Sequence, residues 1–257
     1  MPDHDFIDAQ SFTFATFPHP LHPDEVGDSG ILELAASKYD PSEQYIVKSG
    51  YPELGCNEFM YHKVAATLGL YTQNVSLVHG NKKYHRAAAI RYVPNAQEFN
   101  LKTSSVENFQ AHFEFEALYV ILNESDSHEY YLDDQGRLFK LDNAASFTVG
   151  ETTIRWFDGD PIGRFFIPDI NAPLNAVGYD MYGIALKTIT KNYGKDAAAT
   201  YLSIMKRFIQ FDESVLAEAY TALDEQYPTM LKSYYQKCIQ IRKQTCRRFL
   251  NEIGMDS

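Results

Sequence analysis

The 257-residue chain is poor in several features that would assign it quickly to a class. It has no apolar run of the roughly 18 residues that a bilayer span requires. Its start, Met-Pro-Asp-His-Asp, lacks the basic and apolar regions of a secretory signal, so the sequence reads as soluble and cytoplasmic. Cysteine is scarce: Cys56, Cys238 and Cys246 are odd in number and show no metal-ligand pairing, which argues against a disulfide framework and for a reducing compartment. The last two are expected to pack between helices. Positive charge is also short, with 23 Lys and Arg against 34 Asp and Glu, a formal net charge of −11. Duplex binding rests on neutralising phosphates with Lys and Arg, so nucleic acid is disfavoured as a direct ligand. A phosphate ligand held through a metal is not. Neither repeats nor low-complexity stretches occur, and the 18 Tyr and 17 Phe are scattered as core and rim residues rather than grouped as a stacking platform.

The length allows one large domain or two lobes. Near the start, Ser11–Phe17 is strand-like, and Pro18, Pro20 and Pro23 make the following residues irregular. The histidines among those prolines lack partners for a metal site. Gly27-Asp28-Ser29-Gly30 suits either an ordinary hairpin turn or a small nest of backbone N–H groups that receives a phosphate. Ile31–Ser37 and Gln44–Ser49 read as strands around a turn containing Pro41. A helix follows over about Asn57–Leu68, with Met60, Val64 and Leu68 at four-residue spacing and Gly69 as its stop. Lys48, closing the apolar run Tyr45-Ile46-Val47, has an ordinary account in solvation, and Glu58 has one as a complement to the helix dipole. Together they also allow an ion pair that aims an ammonium at phosphates.

Val75–His79 and Tyr84–Val93 are expected to form a hairpin around Gly80-Asn81, ended by Pro94-Asn95. Residues 1 to 93 thus read as a strand-rich unit with one helix. A helix over about 106 to 122 carries Phe109, Phe113, Ala117, Leu118 and Ile121 on one side. Beyond Phe147 the chain reads as irregular to about 175. Helices are then expected at 176–193, ended by Gly194, at 196–210, at 213–225 with Asp212 as N-cap, and from Pro228 at N1. In the last helix Leu231, Tyr234, Cys238, Ile241 and Phe249 mark a buried stripe. Lys237, Arg242, Lys243, Arg247 and Arg248 mark a basic face, most simply a solvated one paired with the acidic remainder of the protein.

The stretch Asn123–Phe147 carries the candidate chemistry. Tyr130–Leu132 and Arg137–Leu141 flank Asp133-Asp134-Gln135-Gly136, a run of turn-forming residues. A hairpin there sets Asp126 opposite positions 143 to 145, close to Asp142. Facing Cα atoms of an antiparallel pair lie about 4.5–5.5 Å apart, so two carboxylates distant in sequence become neighbours. They repel unless a cation or a shared proton lies between them. Magnesium with a bound phosphate meets that need; a solvated acidic hairpin tip is the alternative.

The order of these pieces resembles the HipA-like kinases, relatives of the protein kinases and of the phosphatidylinositol 3- and 4-kinases. Tyr45-Ile46-Val47-Lys48 is similar to the strand carrying that family's phosphate-binding lysine, and the run from Asn57-Glu58 to Leu68-Gly69-Leu70 to the helix after it. Ala89-Ile90-Arg91-Tyr92 resembles the strand leading to the hinge. Asp126-Ser127-His128 matches the Asp-x-His of the catalytic loop, Leu141-Asp142-Asn143 the strand ending in a second aspartate, and Ile239-Gln240-Ile241-Arg242-Lys243 the closing helix. The resemblance spans about residues 27 to 250.

It implies an α+β, two-lobed protein-kinase-like fold. A small antiparallel-sheet N-lobe with one helix would occupy residues 1–93, and a mainly helical C-lobe with the catalytic hairpin 94–257. It implies ATP and Mg2+ as cofactors, with Lys48 on the phosphates and Glu58 orienting it. Asp126 would be the base or positioning residue for the attacking hydroxyl. His128 would accompany it, with a core-facing hydrogen bond to the loop backbone as its structural role. Asp142 would bind magnesium, Gly27, Ser29 and Gly30 would cover the phosphates, and Arg91, Tyr92 and Val93 would present backbone groups to adenine. One departure is at Tyr131, where the family has a metal-binding asparagine; Glu124 likewise replaces a residue usually small or an amide. The second metal contact is then sought at Asn143, Glu124 or Glu129, or transfer activity is lost. The implied function is a serine/threonine protein kinase acting on a protein hydroxyl. The rival is a pseudokinase acting through a partner such as a small helix-turn-helix antitoxin or a sister subunit, and a lipid or small-molecule kinase is a remoter third. Neither nucleic acid nor membrane is expected as a direct partner.

Overall fold

The computed structural model describes residues 5–17, 31–49, 52–84, 87–124, 128–144, 146–147, 153–156, 164–167, 179–226 and 230–255. Among these, no helix is long and apolar enough to cross a membrane. The first part of the chain contributes β1 (Phe6–Asp8), β2 (Phe12–Thr16), β3 (Ile31–Ser37), β4 (Gln44–Ser49), α1 (Pro52–Thr67), β5 (Val75–His79) and β6 (Ala88–Arg91). The strands form one six-stranded sheet in the order β1-β5-β6-β4-β3-β2. Every neighbouring pair is antiparallel except β1 with β5. In β4 Tyr45, Val47 and Ser49 are buried, while Gln44, Ile46 and Lys48 on the opposite face are only partly so. That period of two fixes the register.

β3, β4 and β5 have the limits their patterns predict, and β2 lies within the expected stretch. Strand β6 is shorter than the expected 84–93, because a 3-10 turn over Lys82–Tyr84 takes up its start. Gly80 is required between β5 and that turn: its φ is +80°, and a Cβ there would lie 2.5 Å from Asp8 Oδ1. β1 has no counterpart in the sequence reading, since three residues in a parallel edge pair leave no periodic signal.

α1 begins at Pro52 rather than near Asn57, with Gly55 inside it. Proline is tolerated in the first helical turn, where its missing N–H has no partner to lose. Glu58 therefore lies in the second turn, beyond simple complementation of the dipole. Cys56, Phe59, Met60, Tyr61, Val64, Ala65 and Leu68 are all buried, so α1 is sequestered nearly all round. Its end is wrapped by Gly69 at φ +77°, with Leu70 N–H donating to Ala65 O at 3.0 Å. Arg207 from the helical part donates to Leu68 O at 2.7 Å and also pairs with Glu114. Lys63, on the same helix, pairs with Asp5 beside β1.

The second part adds β7 (Gln97–Glu98), α2 (Val106–Ile121), β8 (Glu129–Leu132) and β9 (Leu138–Leu141). Ser105 caps α2, accepting from Asn108 N–H at 3.2 Å. β8 and β9 form the expected hairpin: Glu129 faces Leu141 and Leu132 faces Leu138. Its turn is held by Asp133 Oδ1, which accepts from the N–H groups of Gln135 and Arg137 at 2.9 and 2.8 Å. β10 (Thr153–Trp156) and β11 (Arg164–Ile167) then form a further hairpin where irregular chain was expected. Their four-residue β-branched and aromatic runs are masked in the sequence by surrounding glycine and proline.

α3 (Tyr179–Gln210), α4 (Ala217–Gln226) and α5 (Met230–Glu252) complete the molecule. The expected break at Gly194 is a kink inside α3, with φ +89°. Asp212 caps as expected, accepting from Ser214 N–H at 2.9 Å, but it caps a 3-10 turn over Glu213–Leu216 that leads into α4. Pro228 lies outside the described residues, as does the side chain of Leu231.

The basic face of α5 is solvated as expected at Lys237, Arg247 and Arg248, the last paired with Glu252, and is corrected at two positions. Arg242 is only 1% exposed and Lys243 is buried as well. Lys243 donates to Phe211 O at 2.7 Å and pairs with Glu213, while Arg242 lies near Tyr182, Tyr234 and Cys246. The buried stripe runs through Tyr235, Cys238, Ile239, Arg242, Cys246 and Phe249, leaving Tyr234 and Ile241 only partly covered. Burial pushes the thiols of Cys238 and Cys246 up to about 11 and 12, as befits packing residues rather than nucleophiles.

Candidate active site

The site is assembled where β4, α1 and the end of β9 meet. Lys48 stands on the less buried face of β4, and Glu58 projects from the second turn of α1 to within 3.2 Å of its Nζ. Lys48 Nζ also contacts Asp142 Oδ1. Asp142 follows β9 directly with φ +57°, a left-handed conformation that aspartate tolerates better than most side chains. That bend turns Asn143 under Glu58. The Asn143 N–H donates to Glu58 Oε2 at 2.9 Å and its side-chain amide to Oε1 at 3.3 Å. One helical turn beyond Glu58, His62 Nε2 lies 3.1 Å from Oε1.

These contacts settle the charges. Burial alone would push the Glu58 carboxyl up, but the Lys48 ammonium, His62 and the Asn143 amide hold it well below the usual carboxylate range. Burial would likewise discourage the charge on Lys48, yet the two carboxylates beside it keep its pKa above the ordinary lysine value. Lys48 and Asp142 side chains are 12% and 21% exposed, whereas that of Glu58 is closed off. The pair that meets solvent is the ammonium and the Asp142 carboxylate.

Behind this layer lies a second one. Lys140 Nζ, fully buried, donates to Glu124 Oε1 and to Asn143 Oδ1, both at 2.8 Å. Burial outweighs the attraction of Lys140 and pushes the Glu124 carboxyl up to about 7. Asn57 ties the layers to the last helix: its amide donates to Ala144 O at 3.0 Å, and its oxygen accepts from Tyr235 OH at 2.8 Å.

Of the expected site residues, Lys48, Glu58 and Asp142 come together. Asn143 and Glu124, the other candidate metal ligands, do not face solvent with them: both are buried and engaged by Lys140. Glu129 begins β8 opposite Leu141. His128 does not face the core. Its side chain is 46% exposed, its Nδ1 lies 2.9 Å from Glu116 Oε1, and its ring stacks on Tyr119. The Glu116 hydrogen bond raises its pKa. Tyr131 faces Phe139 across the hairpin, half-buried.

Near the expected hinge, Arg91 donates to Ser42 O at 3.2 Å and Tyr92 N–H to Gln44 O at 2.9 Å, so that backbone donor is engaged within the sheet; Val93 follows directly. Asp126, Gly27, Ser29 and Gly30 lie outside the described residues. Among the described residues no group of three or more His, Cys, Asp and Glu is arranged to hold a metal ion. His62 and Lys140 were missed by sequence reasoning. The signal for His62 was its four-residue spacing from Glu58, and for Lys140 a lone charge inside the apolar run Leu138-Phe139-Lys140-Leu141.

A lysine from a largely antiparallel sheet, a glutamate on the next helix and an aspartate closing a hairpin strand from a largely helical second part define a kinase-like fold. Among solved structures the chain is similar to the Helicobacter pylori proinflammatory kinase CtkA, with a TM-score of 0.51 over 89% of this chain and 94% of that one, at 13% identity. At that identity the likeness speaks for the fold. No protein-family model and no curated protein sequence matches the chain.

Proposed function

We propose that the chain is an ATP- and Mg2+-dependent phosphotransferase, a HipA-like serine/threonine protein kinase that works in the cytoplasm on a protein hydroxyl. The observation that carries this reading is Lys48 held between Glu58 and Asp142. The donor set fits the cofactor: a partly exposed ammonium suits phosphate oxygens, and a partly exposed carboxylate suits magnesium. Bound Mg·ATP would supply the transferable phosphoryl group and partial neutralisation of its charge. Glu58, braced by His62 and Asn143, keeps the Lys48 ammonium extended. Asp142 would hold the metal, and Asp126 is assigned the base or positioning role for the acceptor hydroxyl.

A second reading, a pseudokinase that binds a partner protein such as an antitoxin or sister subunit, is favoured by Tyr131 and by the engagement of Asn143 and Glu124 with Lys140. Thermal unfolding with ATP, with and without magnesium, tests the nucleotide site, which the second reading leaves weak or empty. A ligand at about 100 times its Kd stabilises by about 2.7 kcal/mol. Transfer from labelled ATP that disappears in Asp126→Ala supports the kinase. Binding without transfer in the wild type supports the pseudokinase, and no magnesium-dependent shift removes the kinase reading.

A further inference from the structure

A lysine in a strand ordinarily extends its stem so that the ammonium reaches water. Lys140 does the opposite. Its side chain is fully buried in β9, and its ammonium is satisfied from inside the protein. Besides Glu124 Oε1 and Asn143 Oδ1 at 2.8 Å, it reaches Leu141 O at 3.4 Å and Asp142 O at 3.5 Å. Three of these four contacts go to the tripeptide Leu141-Asp142-Asn143, whose middle residue has the left-handed φ of +57°. A compact ammonium with several rotatable donors suits oxygens gathered by such a bend. Engaging Asn143 Oδ1 also fixes which end of that amide points where, leaving its NH2 to face Glu58 and His62.

We propose that Lys140 is a positioning residue for Asp142, anchored by Glu124, and that it holds the bend that sets the Asp142 carboxylate against Lys48 and the Asn143 N–H against Glu58. Its effect on metal binding rests on the kinase reading; its effect on the bend does not. The competing account is a buried ion pair that contributes to stability alone. The two separate because replacing both members of a buried pair by apolar residues is often neutral or stabilising, whereas removing one member is strongly destabilising.

The test compares wild type, Lys140→Met and Lys140→Met/Glu124→Leu in the full chain. Its readouts are Tm, hydrogen exchange at the Asn143 amide, and the magnesium concentration that half-saturates ATP binding. The single variant is expected to lose Tm and the double variant to regain it. In the double variant the Asn143 amide should still exchange at least about tenfold faster, and half-saturating magnesium should rise about 10- to 100-fold, as for loss of an outer-shell metal partner. Affinity for ATP without metal should stay within about twofold, because Lys48 is untouched. If the double variant restores both Asn143 protection and the magnesium requirement, Lys140 is merely structural and the proposal is overturned. If the wild type shows no magnesium-dependent ATP binding, the kinase reading fails while exchange still decides what Lys140 does. Should the double variant not fold, Lys140→Met below its Tm gives the same exchange comparison, and unchanged Asn143 protection there overturns the proposal.

Discussion

The most demanding test of the site is Glu58→Gln, which keeps size and removes one negative charge. Glu58 Oε2 accepts from Lys48 Nζ at 3.2 Å and from Asn143 N–H at 2.9 Å, so an NH2 group there would face two donors. Turning the amide over only moves the conflict to Oε1, which lies 3.1 Å from His62 Nε2 and 3.3 Å from the Asn143 amide nitrogen. Hydrogen bonds to charged groups contribute about 1.5–3 kcal/mol each, and breaking a buried ion pair costs about 3–5 kcal/mol. Asp142 remains to neutralise Lys48 in part, so a loss of about 3 kcal/mol is expected at pH 7. The pH dependence has a definite sign. The folded-state pKa of Glu58 is depressed below its ordinary 4.5, so its contribution is present above that value and is lost as pH falls towards the folded value. The deficit of the variant, measured by urea unfolding, should therefore be constant from neutral pH down to about pH 5 and shrink below about 4.5. A deficit under about 1 kcal/mol at pH 7, or one that grows in acid, would refute the assigned charge state.

Two further outcomes concern the scaffold. Gly80→Ala must place a Cβ at positive φ and 2.5 Å from Asp8 Oδ1, so urea unfolding should show a loss of about 1–3 kcal/mol, while Gly136→Ala, at positive φ with open space around it, should lose less. Because Cys56, Cys238 and Cys246 are all buried, a thiol reagent should leave the native chain essentially unlabelled and modify all three cysteines in denaturant; rapid native labelling would contradict the packing.

How much of this was legible in the sequence depended on whether a residue's partners were local. β3, β4 and β5 were readable to their ends because alternation and flanking turn residues act over a few positions. The β8–β9 register was readable because Asp133 and Gly136 define the turn. Lys48, Glu58 and Asp142 were found by their order along the chain, although Lys48 and Asp142 are 94 residues apart. Burial that depends on distant chain was not readable. Arg242 looked solvated because Tyr182, which lies beside it, belongs to α3. Asn143 and Glu124 looked like free ligands because Lys140, a lone charge in an apolar run, was not read as turning inward to meet them. The same limit hid β1, whose partner β5 is some seventy residues further on.

The fastening of α1 has a mechanical consequence. Near one end, Asn57 grips both the chain after Asp142 and the closing helix; at the other, Leu68 is held by Arg207. A lever pinned at two points cannot swing its middle outward without releasing one of them. The Lys48–Glu58 couple is therefore assembled in the resting molecule, and any control exerted by tilting this helix would first have to unlatch it from the helical half.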